Sequence, residues 1–382
     1  MKKILIVNNN LDIGGIQKSL VNLLKEVHED YDITLLLFSK SGALLNNIPK
    51  NVRIITPNKC YRMLGLTKSE LRRYPFFFCL KYFLMRYTSI FSRRSAMKLL
   101  GLFQKKIEGY DVAISYSHLL HHKCFGNGCG DFVLDKVVCK NKICMIHCDY
   151  LHSGYMTEMN NREYSEFDKI ACCSDSVRER FICGANISKN KVYTLRNFYD
   201  FDIVKLANDK PYVYGDNCIN LLSVARLSSE KGIDKAIDAL YATGRSDINY
   251  YIVGDGPQKK LLQEKIKEYH MEKQIFLLGE QQNPYRYMIN ADYLLVPSLH
   301  EAAPMVFDEA NILKLPLISS NTTSANELVQ NDNGIIYDNF DEIKVILKDL
   351  KKRKLKAEIC LTNKIQKEQL SCVVNDVSYK EQ

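Results

Sequence analysis

Residues 300–310 read HEAAPMVFDEA, with one carboxylate at Glu301, a proline at 304 and a second carboxylate at Glu309. Proline suits the start of a helix, where the N–H it lacks would have no intrahelical partner. Met305, Val306, Phe307, Ala310, Ile312 and Leu313 supply the apolar residues of a helix behind it. Just upstream, YLLVPS at 293–298 is a short apolar run of the kind that forms a buried strand. Strand, loop and helix in that order are the repeating unit of a parallel α/β sheet. A helix N-terminus offers free N–H groups and a partial positive charge, which suit a diphosphate, and flanking carboxylates suit sugar hydroxyls.

Working outward, the same alternation recurs on both sides. The first half offers ILIVN, ITLLLFS, VRIIT, DVAISYS, ICMIHC and KIACCS as strands, and the second restarts with INLLSVARL, YYIVGD, IFLLG, YLLVPS, PLISS and GIIYD. Short β-branched runs separated by amphipathic stretches predict parallel sheets covered by helices on both faces. A chain of 382 residues with 46% hydrophobic content has room for two such cores. Between them, from about 203 to 217, LANDKPYVYGDN sits in a polar stretch with no period and reads as the linker. The expected domains are 1–203 and 204–355, followed by a helical tail over 356–382.

Five segments in the right order resemble the family 4 retaining glycosyltransferases. They are the glutamate pair Glu301/Glu309, LLSVARLSSEKGIDKAIDAL with Arg226 and Lys231, IVGDGP at 252–257, SDSVRERF with LRNFYD (Asn197 and Asp200), and DIGGIQKSLVNLL near the start. The resemblance covers most of residues 1–340. It implies an α/β architecture of the GT-B type, with two facing Rossmann-like domains, parallel sheets and an inter-domain cleft. It also implies a final helix that crosses back to the first domain.

The chemistry expected of these residues follows from what the reaction needs. Departure of a nucleoside diphosphate from a sugar builds negative charge on the leaving oxygens. Arg226, able to bind phosphate bidentately, and Lys231, a point charge, are positioned in one loop to meet it. By resemblance, Glu301 touches the transferred sugar, Glu309 bonds the ribose hydroxyls, and the backbone N–H groups of Met305 and Val306, behind Pro304, meet the phosphates. Gly14 and Gly15 follow a strand and open a helix, so the backbone there can approach a ligand or take a positive φ; the resemblance sets them opposite the donor diphosphate. It also gives His147, at the end of ICMIHC, a place beside the transferred sugar. Many relatives carry glycine after the first glutamate, whereas Ala302 and Ala303 follow it here, which leaves the identity of the sugar open.

Other features bear on partners. The run HLLHHKCFGNGCG at 118–130 holds His118, His121, His122, Cys124 and Cys129 but no standard zinc spacing, and the resemblance implies donor binding without a metal, so no metal or other cofactor is expected. Thirteen cysteines scattered through strand-like runs do not make a disulfide framework, and ILIV near the start is too short for a signal-peptide core. A cytoplasmic location follows as the expectation. Residues 71–107 carry nine Lys or Arg, nine Phe or Tyr and no acid, and the net charge is +9. That mixture fits an anionic membrane surface, with the arginine pairs at 72–73 and 93–94 among the contacting cations. No nucleic-acid module accompanies it. The function these readings imply is transfer of a sugar from a nucleotide sugar to a glycan or lipid-linked glycan in cell-surface polysaccharide (capsule) synthesis, by a peripheral protein at the inner face of the plasma membrane. A nucleotide-sugar epimerase of the same fold and a non-catalytic scaffold for a transferase are the alternatives.

Overall fold

The computed structural model describes residues 1–215, 217–329, 333–352 and 361–375. The chain forms two compact units. One contains Met1–Phe198 and the described residues from Asn363 onward, and the other runs from Tyr199 to Thr362.

The first unit is built on seven parallel strands: β1 (Lys3–Asn8), β2 (Asp32–Leu37), β3 (Arg53–Ile55), β4 (Val112–Ser115), β5 (Asn141–Ile146), β6 (Lys169–Cys172) and β7 (Val192–Thr194), in the order β3-β2-β1-β4-β5-β6-β7. Residues 4–7 of β1 are all at most 2% exposed, as expected where helices cover both faces and successive side chains point to opposite sides. The helix Gly15–Val27 lays Leu20, Leu23, Leu24 and Val27, spaced as one helical face, onto that core.

The helix Lys364–Asn375 belongs to the same core. Leu370, Val373 and Val374 are each at most 1% exposed and pack with β1, β2 and β4 residues, a burial of about 1.5–3 kcal/mol for each side chain. Its last carbonyls, which have no intrahelical donors, are met by lysines: Lys2 donates to Val374 O at 2.6 Å, and Lys169 to Val373 O at 2.9 Å. Of the tail expected over 356–382, residues 356–360 and 376–382 lie outside the described residues.

The second unit has six parallel strands: β8 (Ile219–Val224), β9 (Ile248–Val253), β10 (Ile275–Gly279), β11 (Tyr293–Val296), β12 (Leu317–Ser320) and β13 (Gly334–Tyr337), in the order β10-β9-β8-β11-β12-β13. One face is covered by the helices Ile233–Thr243, Lys259–Glu268 and Phe340–Asp349, and the other includes the helix Met305–Ile312.

The stretch expected as a linker is structured. Asp202–Asn208 is a helix with Ile203 and Ala207 buried, the amide of Asn283 donates to Leu206 O, and the hydroxyl of Tyr214 donates to Tyr287 O at 2.7 Å. Two apolar residues four apart and a buried tyrosine are enough to dock it on the second unit, although the intervening residues are polar. The division between units accordingly falls at 198/199 rather than 203/204.

Candidate functional site

Each sheet reverses its strand order once, between β1 and β4 in the first and between β8 and β11 in the second. Loops leaving the carboxyl ends of strands on either side of a reversal run apart, and that crevice is where α/β sheets take ligands. In the second unit the two loops are 225–232 and 297–304, which hold Arg226, Lys231, Glu301 and Pro304.

The loop after β8 is fixed by backbone contacts on both sides. Ala225 N–H donates to Val253 O at 3.0 Å, Leu227 N–H to Asp255 O at 2.9 Å, and Gln258 N–H to Leu227 O at 3.0 Å. So close an approach leaves no space for side chains: a Cβ on Gly254 would sit 1.9 Å from the carbonyl oxygen of Ala225. Across the crevice, Leu299 N–H donates to Glu230 O at 2.8 Å. Gly232 there adopts φ +61°, with Pro297 O only 2.1 Å from where a Cβ would be. Gly232→Ala should therefore cost about 1–3 kcal/mol through the left-handed φ and the clash together, and should displace the adjacent Lys231. Urea unfolding tests this, and a variant as stable as the parent would refute it.

These loops bring Lys231 and Glu301 into an ion pair, with side chains 24% and 14% exposed. Ser298 Oγ also donates to Glu301 Oε1, at 2.9 Å. Ser298 is itself fixed through its carbonyl, which accepts from the Ser320 hydroxyl. Both donors to Glu301 share Oε1, which leaves Oε2 without a partner among the described residues. Lys231 keeps two further N–H donors. Arg226 is exposed, and no hydrogen bond or ion pair among the described residues engages its guanidinium. The neighbouring Glu230 carboxyl is held below its usual range, first by the Ser228 hydroxyl at 2.6 Å and more weakly by the charges of Lys231 and Arg226.

The helix expected behind Pro304 begins at Met305, with Pro304 itself in extended conformation (φ −69°, ψ 122°) as the flanking residue rather than in the first turn. Proline's fixed φ serves both positions. Among the described residues the N–H groups of Met305 and Val306 have no partner, whereas that of Phe307 is used by Pro304 O at 3.0 Å. Glu309 is 5% exposed and accepts from the Tyr285 hydroxyl at 3.1 Å, so it is not a solvated helix residue.

The remaining expected residues lie in the first unit, at the carboxyl edge of its sheet. Gly14 and Gly15 open the helix after β1. Gly14 is extended at φ −173°, so glycine there contributes the lack of a side chain, not a left-handed backbone. His147 directly follows β5 and is half-buried, with the Tyr116 ring 5.2 Å away. Burial, with a smaller effect from His118, pushes its pKa down to about 3. A neutral imidazole can orient a hydroxyl but supplies no charge. His118 is likewise driven down to about 4 by burial and stacks on Tyr155. Among the described residues no group of three or more His, Cys, Asp or Glu is arranged to hold a metal ion.

Sequence reasoning did not single out Ser298, Tyr285, Ser228 or Glu230. A polar residue between β11 and Glu301 was the one available signal for Ser298. Tyr285 follows β10 in a segment with no motif.

Residues 209–366 match the family model described as glycosyl transferases group 1. N-acetylgalactosamine-N,N'-diacetylbacillosaminyl-diphospho-undecaprenol 4-alpha-N-acetylgalactosaminyltransferase of Campylobacter jejuni is 30% identical over 199 residues, 50% of this chain and 54% of that protein. Amylovoran biosynthesis glycosyltransferase AmsD of Erwinia amylovora is 27% identical over 151 residues, 40% of this chain and 43% of that one. The chain thus spans about half or less of the length of these curated relatives. Among solved structures, HepE of Anabaena in complex with UDP aligns with a TM-score of 0.61 at 16% identity, over 91% of this chain and 90% of that one. At that identity the likeness is one of fold: two parallel-sheet Rossmann-like domains in one chain, the GT-B fold.

Proposed function

We propose that this chain is a glycosyltransferase of the retaining, family 4 kind. It moves a sugar from a nucleoside-diphosphate sugar to a hydroxyl of a glycan or lipid-linked glycan in the synthesis of a cell-surface polysaccharide. The observation that carries the reading is the Lys231–Glu301 pair at the strand-order reversal, beside the unengaged Arg226 guanidinium and the open N–H groups of Met305 and Val306. The names of the relatives, which act in amylovoran synthesis or on a diphospho-undecaprenol, support the same class.

In this reading the guanidinium, the remaining ammonium protons and the two N–H groups take the donor diphosphate. Glu301 Oε2 accepts from a hydroxyl of the transferred sugar, and Glu309, oriented by Tyr285, accepts from the ribose. As the bond from the anomeric carbon to the phosphate oxygen breaks, its electron pair passes to the diphosphate, and the fixed cations stabilise that charge more in the transition state than before it. The acceptor oxygen bonds to the same face of the carbon, and its proton goes to the departing phosphate. Side-chain cations fill the role a metal would have, so no cofactor is assigned. Gly14 and Gly15 serve the donor diphosphate and His147 the transferred sugar, and the reaction takes place at the inner face of the plasma membrane.

Incubation of the full chain with a panel of nucleotide sugars and lipid-linked acceptors tests this. Acceptor-dependent release of nucleoside diphosphate, with a product of unchanged anomeric configuration by NMR, is expected. An isomerised donor without acceptor would mean an epimerase, and no turnover with any pair would favour a scaffold.

A further inference from the structure

The helix Pro75–Ile90 buries very little of itself. Leu84 and Thr88 are buried, while Phe76, Phe78, Tyr82, Phe83, Met85 and Ile90 are exposed, Phe76 and Ile90 each at 69%. Phe91, which follows it, is 56% exposed. So much contiguous apolar surface on one helix marks a binding surface rather than the scatter of single apolar residues found on any protein.

The charges around it narrow the partner. Arg72, Arg73 and Arg86 are exposed, and between Leu71 and Ile107 there is no carboxylate. Arg93 and Arg94, grouped with them on sequence, are used inside the protein. Arg93 is 1% exposed and bonded to Asp131 and Glu163, and Arg94 to Asp135 and Glu166. A second copy meeting this face about a two-fold axis would set cation against cation, because such an interface pairs a patch with itself. An anionic lipid surface offers the opposite charge and an interfacial zone that takes aromatic rings.

We propose that the helix Pro75–Ile90, with Phe91 beyond it, is the surface by which this chain docks flat on an anionic lipid bilayer. At sixteen residues it is about 24 Å long, shorter than a hydrocarbon core of about 30 Å, so it lies along the interface. Its C-terminal end is tied to the loop after β4. Lys123 Nζ donates to Ile90 O at 2.8 Å and to Phe91 O at 2.9 Å, Arg93 N–H donates to His122 O at 2.6 Å, and the Arg93 guanidinium donates to Leu120 O. Docking brings that loop, at the carboxyl edge of the first sheet, to the lipid surface. Docking stands independently of sugar transfer; only the consequence that a lipid-anchored acceptor meets its site there rests on the transferase reading.

Flotation of the full chain with phosphatidylcholine vesicles, with and without phosphatidylglycerol, tests the proposal. The parent should float with the phosphatidylglycerol vesicles and not with phosphatidylcholine alone. Arg72→Gln with Arg73→Gln should weaken binding roughly fivefold for each cation removed. Phe76→Ser with Phe83→Ser should abolish it, with the melting curve unchanged because both rings are exposed. Equal flotation of parent and variants would overturn the proposal. So would a concentration-dependent dimer in light scattering that the serine variant abolishes while the parent ignores vesicles. Donor turnover with a water-soluble acceptor, assayed on the same variants, keeps the two readings apart: its absence sinks transfer and leaves docking standing.

Discussion

Arg226→Ala is expected to lower turnover on the order of a hundredfold while leaving the unfolding midpoint where it is. The guanidinium is exposed and makes no hydrogen bond or ion pair among the described residues beyond a weak pull on the Glu230 carboxylate, so its removal should cost the folded state little; in the proposed mechanism its work is toward the donor. Lys231→Ala should cause a loss of similar size with a different signature. It also breaks the pair with Glu301, and that carboxylate is only 14% exposed, so some stability goes with it. Arg226→Lys should recover little, since a point charge cannot replace bidentate contact. Steady-state turnover and urea unfolding on the same preparations separate the two effects. Undiminished turnover in Arg226→Ala would remove the cation from the proposed mechanism.

Arg93→Ala should destabilise the first unit by about 3–5 kcal/mol, the largest stability loss expected of any single substitution here. The guanidinium is surrounded by Asp131 at 3.0 Å, Glu163, Asn160 and the carbonyl of Leu120, and without it two carboxylates are left buried and unpaired. Burial already pushes the Glu163 carboxyl up to about 7, against the pull of Arg93. Removing the cation raises it further, and protonation then relieves part of the penalty. The loss should accordingly be smaller at pH 5, where Glu163 is neutral in folded parent and variant alike and its attraction to Arg93 contributes little, than at pH 8, where the parent's carboxylate is charged and paired. Urea unfolding at both values measures this. A loss that did not depend on pH would show that Glu163 is not the group left stranded.

Both predictions turn on features with unequal visibility in the sequence. The strands were legible because parallel sheets buried on both faces read as continuous apolar runs; β7 (Val192–Thr194), with only Val192 buried, was not read. The start of the helix at Met305 was legible from Pro304, whereas Arg226 and Lys231 were singled out by the resemblance of LLSVARLSSEKGIDKAIDAL to a family segment rather than by a local pattern. The Lys231–Glu301 pair was not, since it joins residues seventy positions apart and depends on β8 lying next to β11 in the sheet. Arg93 was misjudged for the opposite reason. A charged residue in a basic, aromatic stretch looks the same to local reading whether it faces solvent or fills a core, and only the folded partners at 131 and 163 distinguish the two.

The helix at 364–375 closes a core whose other members all precede residue 199. During synthesis, then, the sheet that leaves the ribosome first lacks the cover of Leu370, Val373 and Val374 until 164 intervening residues, 199–362, have been translated. The leading unit therefore cannot complete its core before the next is translated, unlike the usual order in which it does so first. The second unit is fully synthesised before its host can bury Leu370, Val373 and Val374.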